Sequence, residues 1–285
     1  MTRPRQPDTA GRAADGTGRA ARPTGPRPGV GAEVAVPRAA RSVRRDWHDL
    51  AEPAVSPSAF DPAMVAGLPE PARRWLNHAI APGTPMWRSV ELSMRGQVRL
   101  GRWRSFTARQ VLAPPDGYIW AATARVAGLP VTGFDRLSSG TSEMSWRLVG
   151  LCPVMTASGP DVARSASGRM AGEITLLPTV FPKASWLRGE RPGTATADLQ
   201  FGSVTERAEL SVGDDGRLLE VKVDRWGNPG GAPFGRYPFG VSVEAESHFA
   251  GITIPSVLRA GWWWGTERQA EGEFFRARIT GAIFR

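Results

Sequence analysis

The stretch "SVELSMRGQVRL" constrains the fold more than any other, because Val90, Leu92, Met94, Val98 and Leu100 alternate with Glu91, Ser93, Arg95, Gln97 and Arg99. A period of two sends successive side chains to opposite faces, the mark of a β-strand with one covered face. The pattern continues in short pieces. Residues 103–112, 117–126 and 131–137 read as strands separated by "APPDG" and "AGLP", and "TSEMSWRLVGL" adds another with Met144, Trp146 and Leu148 on one side. Short strands joined by tight turns imply an antiparallel meander.

Helical spacing precedes this region. In "FDPAMVAGLPEPARRWLNHAIAPG", Asp61 is placed to cap a first turn with Pro62 at its first helical position, and Leu68, Ala72, Trp75, Leu76 and Ile80 then share a face. A second helical interval lies between Gly159 and Pro182, where Val162, Ala166, Met170 and Ile174 form an i, i+4 row. Strands resume with a hairpin over residues 205–226, turning at "GDDG", and continue through "FGVSVEAESHFAGI", Ile254–Trp264 and "GEFFRARITGAIF". About ten strands and two or three helices result, in the order helix, strands, helix, strands. That order excludes a doubly wound sheet, which needs a helix between every strand pair. The expected fold is α+β, a curved antiparallel sheet with the helices on its concave side.

Charge is unevenly spread. The chain of 285 residues carries +9, but residues 1–45 hold ten Arg against Asp8, Asp15 and Glu33, so the remainder is close to neutral. That opening is dense in Pro, Gly, Ala and Arg with hardly any large apolar residues, so it cannot offset the entropy of ordering it. It is expected to be a disordered tail over 1–45, making at most weak electrostatic contacts, with a single domain over 46–285. Only Lys183 and Lys222 are lysines, so the arginine excess resembles a GC-rich bacterial coding bias, which weakens a reading of the arginines as placed for phosphate binding. No specific nucleic-acid recognition is expected. Cys152, the single cysteine, excludes an intramolecular disulfide and reads as a small buried apolar residue. With no long apolar run for a membrane helix and no signal-like start, a cytoplasmic location is expected.

The blocks "FTARQVLAPPDGYIWAA", "TGFDRLSSGTSEMSWRLVGLCPVMTASG", "SGRMAGEITLLPTVF", "DDGRLLEVKVDRWGN" and "ITIPSVLRAGWWWG" resemble an uncharacterised bacterial domain family of unknown function, over about residues 65–285. More remotely, the element order is similar to the lipoprotein-carrier half-barrel of the LolA and LppX kind, in which a curved sheet wraps helices around an apolar cavity. That resemblance implies a cavity wall holding Trp262 and Trp264 of "GWWWG", which share one strand face if alternation persists, together with Trp120 and Trp146 from earlier strands. A core role for the same tryptophans remains open. Arg169 and Glu173, four residues apart on the middle helix, either form a solvated pair or orient a ligand head group.

Chemistry of other kinds finds little support. His48, His78 and His248 are scattered, no pair has metal-ligand spacing, no G-x-S-x-G elbow occurs, and "GNPGG" lacks the lysine of a phosphate loop. Neither a metal nor a cofactor is expected. Asp135 with Arg136, and Asp224 with Arg225, read as rim ion pairs. Two classes of function follow: non-catalytic binding of an apolar or amphipathic small molecule, a lipid among them, or a cofactor-independent enzyme using Arg169, Glu173 and Asp135. A scaffold that meets a protein partner is a third.

Overall fold

The computed structural model describes residues 35–285. Two helices lead into the sheet: α1 (Arg44–Leu50), continuing a 3-10 turn over Arg38–Val43, and α2 (Glu70–Ala79). Before α2, Asp61 accepts a hydrogen bond from the Ala63 amide at 2.8 Å and Pro62 opens a 3-10 turn, as the local sequence dictates. The first meander comprises β1 (Val90–Leu100), β2 (Arg102–Ala113), β3 (Gly117–Val126), β4 (Leu129–Ser138), β5 (Thr141–Leu148) and β6 (Cys152–Ser158). Helix α3 (Pro160–Glu173) and 3-10 segments at Ile174–Leu176 and Pro178–Lys183 lead to β7 (Ser185–Arg188), β8 (Thr194–Phe201), β9 (Val204–Val212), β10 (Leu218–Gly227), β11 (Gly235–Phe249) and β12 (Ile252–Trp262). A short α4 (Gln269–Gly272) and β13 (Glu273–Phe284) complete the chain.

All thirteen strands form one sheet in the order β6-β5-β4-β3-β2-β1-β13-β12-β11-β10-β9-β8-β7. The two meanders join in the middle, where β1 pairs antiparallel with β13 from Val90 opposite Phe284 to Val98 opposite Phe275. Helix α3 therefore connects one edge of the sheet to the other. Its fourteen residues span about 21 Å. Within a single turn, Ser165 and Gly168 touch Arg225 of β10 while Arg169 bonds Asp135 of β4. Those two strands stand seven positions apart, about 34 Å on a flat sheet at the usual strand spacing. One helical turn reaches both only because the sheet curls around α3.

Alternation assigns the faces. On the α3 side, Leu92, Met94, Phe106, Leu112, Tyr118, Trp120, Leu137, Val221, Val223, Phe239 and Leu258 join Trp75 and Leu76 of α2 and Met170 of α3 in one core. On the opposite side, Val111, Ala113, Ile119, Ala121 and Phe134 pack against Ala40, Val43, Trp47 and Leu50. Strands β2 to β4 are thus covered on both faces.

Several expectations are corrected. The strands number thirteen rather than ten, the additional ones being β6, β7 and β8. Edge strands β6 and β7 are exposed on most positions and carry no alternation, and in β8 Leu199 and Phe201 face inward but the preceding Ala195 and Ala197 are too small to extend the pattern. The helices do not all share the concave side, since α1 lies on the other face. Of the disordered tail expected over 1–45, residues 1–34 lie outside the described residues, whereas Arg38–Val43 is helical and buries Ala40 and Val43 against the sheet. Those small side chains and Trp47 supply the apolar stripe that the Arg-rich composition concealed. Cys152 is exposed rather than buried, because it opens the edge strand β6.

Candidate functional site

Helix α3 lies in the trough of the sheet, and its small residues let it lie close. A Cβ on Gly168 would stand 2.7 Å from Cγ of Arg225, so only glycine permits this approach. Beside it Arg169 points inward. Its Nε donates to Oε1 of Glu173 at 2.7 Å and its Nη1 to Oδ2 of Asp135 at 2.8 Å. The Trp146 indole N–H donates to the other Asp135 oxygen at 2.8 Å, and Gln110 donates to the second Glu173 oxygen at 2.6 Å. Three donor side chains, from β2, β5 and α3, thereby reach both carboxylates. Asp135 and Arg136 do not pair with one another as a rim pair: adjacent strand residues face opposite sides, and Arg136 instead meets Asp46 of α1 and Glu143 of β5.

Burial shapes the electrostatics. It pushes the Asp135 carboxyl above the usual range despite the opposing pull of Arg169. The same desolvation opposes the charge on Arg169, but Glu173, the Tyr118 phenol and Asp135 outweigh it and hold the guanidinium above its ordinary value. Burial raises Tyr118 to about 12. Arg225 is treated differently: burial lowers it to about 10, and its hydrogen bonds go to the Ser165 carbonyl at 3.1 Å and hydroxyl at 3.3 Å. Its guanidinium lies over the rings of Phe239 and Trp262, 4.7 and 4.8 Å from their centroids.

A cavity opens next to this cluster. Arg169, Gly172, Glu173, Thr175 and Leu176 form its helical wall, and Phe239, Val241, Pro255, Leu258, Ala260 and Phe275 form the sheet wall. The wall is almost wholly apolar, with one cation and one anion on its helical side. Its enclosed space is about 40 Å³, room for about three waters.

The structure gathers the expected site residues unevenly. Trp120 sits 5.6 Å from Trp146, 6.0 Å from Phe275 and under the Arg169 guanidinium, so these three residues and Glu173 form one neighbourhood. Trp262 stands opposite Phe239 in the register and packs on it at 5.4 Å. Trp264 does not share its face. Strand β12 ends at Trp262, and Trp263 adopts a left-handed φ of 58°, so alternation stops there. The Trp264 ring lies over Gly240 on the opposite side of β11 from Phe239, and its N–H donates to Glu220 at 2.7 Å. Trp263 packs edge-on against Tyr237 under the guanidinium of Arg268. Gln110, Tyr118 and Phe239 were not singled out by sequence reasoning, and Arg225, read there as a rim partner of Asp224, is instead buried and bonds Ser165. The alternation of β2, β3, β10 and β11 contains their common face, but the curl that brings β10 to β4 has no local signal.

His78 bonds Glu246 at 2.8 Å and His248 bonds Thr253 at 3.2 Å. Among the described residues no three of His, Cys, Asp and Glu come together as a metal would require, and no helix is long and apolar enough to cross a membrane.

No curated protein matches the chain. The likeness to LolA-type proteins expected from the sequence is met among solved structures. A LolA superfamily protein from Nitrosomonas europaea is similar at 10% identity, over 75% of this chain and 92% of that one, with a TM-score of 0.43. A DUF1329 family protein from Desulfovibrio piger is similar at 11% identity, over 70% and 86%, with a TM-score of 0.40. A family's sequence model matches residues 58–274, which include the whole α3 cluster and every residue of the cavity wall except Phe275; the chain belongs to that family, a family of unknown function designated DUF6544.

Proposed function

We propose that this chain binds a small amphipathic molecule, without catalysis, between α3 and strands β11 to β13. The observation that carries the reading is the composition of the cavity wall: Val241, Leu258, Ala260 and Phe275 offer an apolar slot, and Arg169 and Glu173 line its helical side. Ligand sites combine an apolar lining with a few placed polar groups in this way. In the closed arrangement the slot holds only water-sized contents, so an apolar chain enters by displacing Thr175 and Leu176, which head the 3-10 segment after α3. Trp120, Trp146 and Trp262 serve this reading as the packing that fixes Arg169 and Phe239, while Trp264 belongs to the other face.

One observation favours an enzyme instead, namely the raised pKa of the buried Asp135, since such carboxyls are enriched at catalytic centres. Both Asp135 oxygens are already engaged, however, and the residue does not line the cavity. Native mass spectrometry on protein purified from its own host, beside Gly172→Leu, tests the binding reading. A side chain on Gly172 enters the slot against Phe239, whose ring carbon would lie 3.4 Å from the new Cβ. A co-purifying apolar mass that a folded Gly172→Leu protein lacks supports the proposal. An empty wild type that also fails to take up added fatty acids, fatty alcohols and monoacylglycerols contradicts it.

A further inference from the structure

The two ends of the first meander differ in a way that the fold does not require. The turns β2–β3 and β4–β5, at one end, are made of "PPD" and "SSG". At the other end lie Leu100-Gly101-Arg102, Ala127-Gly128-Leu129 and Val149-Gly150-Leu151, with exposures of 44% for Leu100, 49% for Leu129, 53% for Val149 and 75% for Leu151. Antiparallel connectivity puts these three tips side by side, two strands apart, across about 20 Å. Turn chemistry does not explain them. Ala127 and Val149 precede glycines and adopt left-handed φ values of 49° and 53°, where Asn or Asp is favoured and a β-branched valine is strained. Adjoining edge strand β6 adds exposed Val154 and Met155.

Charge at this end is equally one-sided. Arg99, Arg102, Arg125 and Arg147 are exposed, and among the described residues none of them pairs with a carboxylate. Their recorded bonds run to main-chain carbonyls, Arg99 to Glu271 and Arg125 to Gly128. From Ser93 to Arg109, from Ile119 to Phe134 and from Met144 to Pro160 the sequence contains no Asp or Glu. The acidic neighbours are in the loop before β13, where Glu271 pairs with Arg268 and Glu273 with Arg276, leaving Glu267 as the one other carboxylate there. At the polar end, by contrast, Asp116 meets Arg88 and Glu143 meets Arg136.

We infer that this end is a docking surface for an anionic phospholipid bilayer, with Leu129, Val149 and Leu151 dipping into the headgroup boundary and the four arginines against lipid phosphates. Apolar tips ringed by unpaired cations match such an interface, whose apolar layer lies just beneath its negative charge. Duplex nucleic acid offers the charge without a layer to receive aliphatic tips. The inference is independent of the cavity, because it uses none of its residues.

The test is co-sedimentation of the full chain with vesicles of phosphatidylcholine containing about one third phosphatidylglycerol, a composition giving a negative surface potential. Two double variants, Leu129→Ser with Leu151→Ser and Arg102→Glu with Arg147→Glu, run beside Asp116→Ala from the opposite end. The expected result is salt-sensitive binding by the wild type and Asp116→Ala, lowered about tenfold or more in each tip variant while its melting temperature is retained. Absence of wild-type binding overturns the inference, as does equal binding to pure phosphatidylcholine. Binding that survives both tip variants also overturns it and assigns the contact elsewhere, to the basic N-terminal region among other sites. Retention on duplex DNA in place of vesicles has the same consequence.

Discussion

Two buried ion clusters, one on each face of the sheet, are built alike and differ in what adjoins them. Under α1, Glu91 accepts from the Trp47 indole at 3.2 Å, from Arg109 at 3.0 Å and from Arg285 at 3.1 Å. Under α3, Asp135 accepts from the Trp146 indole and Arg169, which also holds Glu173. Each cluster pins a helix with a tryptophan and an arginine on a carboxylate. The first sets one carboxylate between two cations. In the second, one arginine serves two carboxylates and an apolar slot begins beside it. Burial of ions therefore identifies neither as a working site, and the binding proposal rests on the slot alone.

Removing Arg169 should have the largest effect. Arg169→Ala leaves Asp135 and Glu173 buried without their cation and should cost about 3–5 kcal/mol in urea unfolding. Glu91→Ala leaves Arg109, with a side chain 25% exposed, able to turn toward water, so a loss of about 1–3 kcal/mol is expected. Equal costs for the two would break the comparison. Trp47→Ala asks whether α1 belongs to the domain. The ring is fully buried, and its loss should cost about 3 kcal/mol, whereas a cost near zero would mean that the helix is dispensable.

A finer contrast lies in pH. Because the folded state raises the Asp135 pKa, it binds that proton more tightly than the unfolded chain does. Asp135 taken alone thus makes stability fall as pH rises from the ordinary carboxylate value through its elevated one. Asp135→Asn should remove that fall, seen as a flatter melting temperature between the acid range and neutrality relative to wild type; an unchanged profile would place the carboxyl in a wetter site. Smallest of all, Gly172→Ala should stabilise by about 0.5–1 kcal/mol, since the methyl meets Phe239 at ordinary contact distance and a helical glycine is replaced.

How much of this was legible in the sequence depended on distance along the chain. Period-two alternation located β1 to β5 and the β9–β10 hairpin, and the Ala166, Met170 and Ile174 row located α3, because these signals are local. The i, i+4 spacing brought Arg169 to Glu173. Asp135 was grouped with them only in the enzyme alternative and on no local signal, since the contact depends on the sheet curling until β4 and β10 flank one helix. Trp264 was misplaced for a local reason: a single left-handed residue at Trp263 ends the alternation on which the face assignment rested. The α1 helix was hidden by composition, its few apolar residues standing among arginines.

The most direct test of the binding account is hydrogen exchange read by mass spectrometry over Ile174–Lys183, with and without saturating decanoate, in wild type and in Gly172→Leu. The account predicts that the fatty acid changes exchange in this segment and in the facing parts of β11 and β12, and that Gly172→Leu abolishes the change while remaining folded. No change in the wild type, or the same change in both proteins, would contradict it.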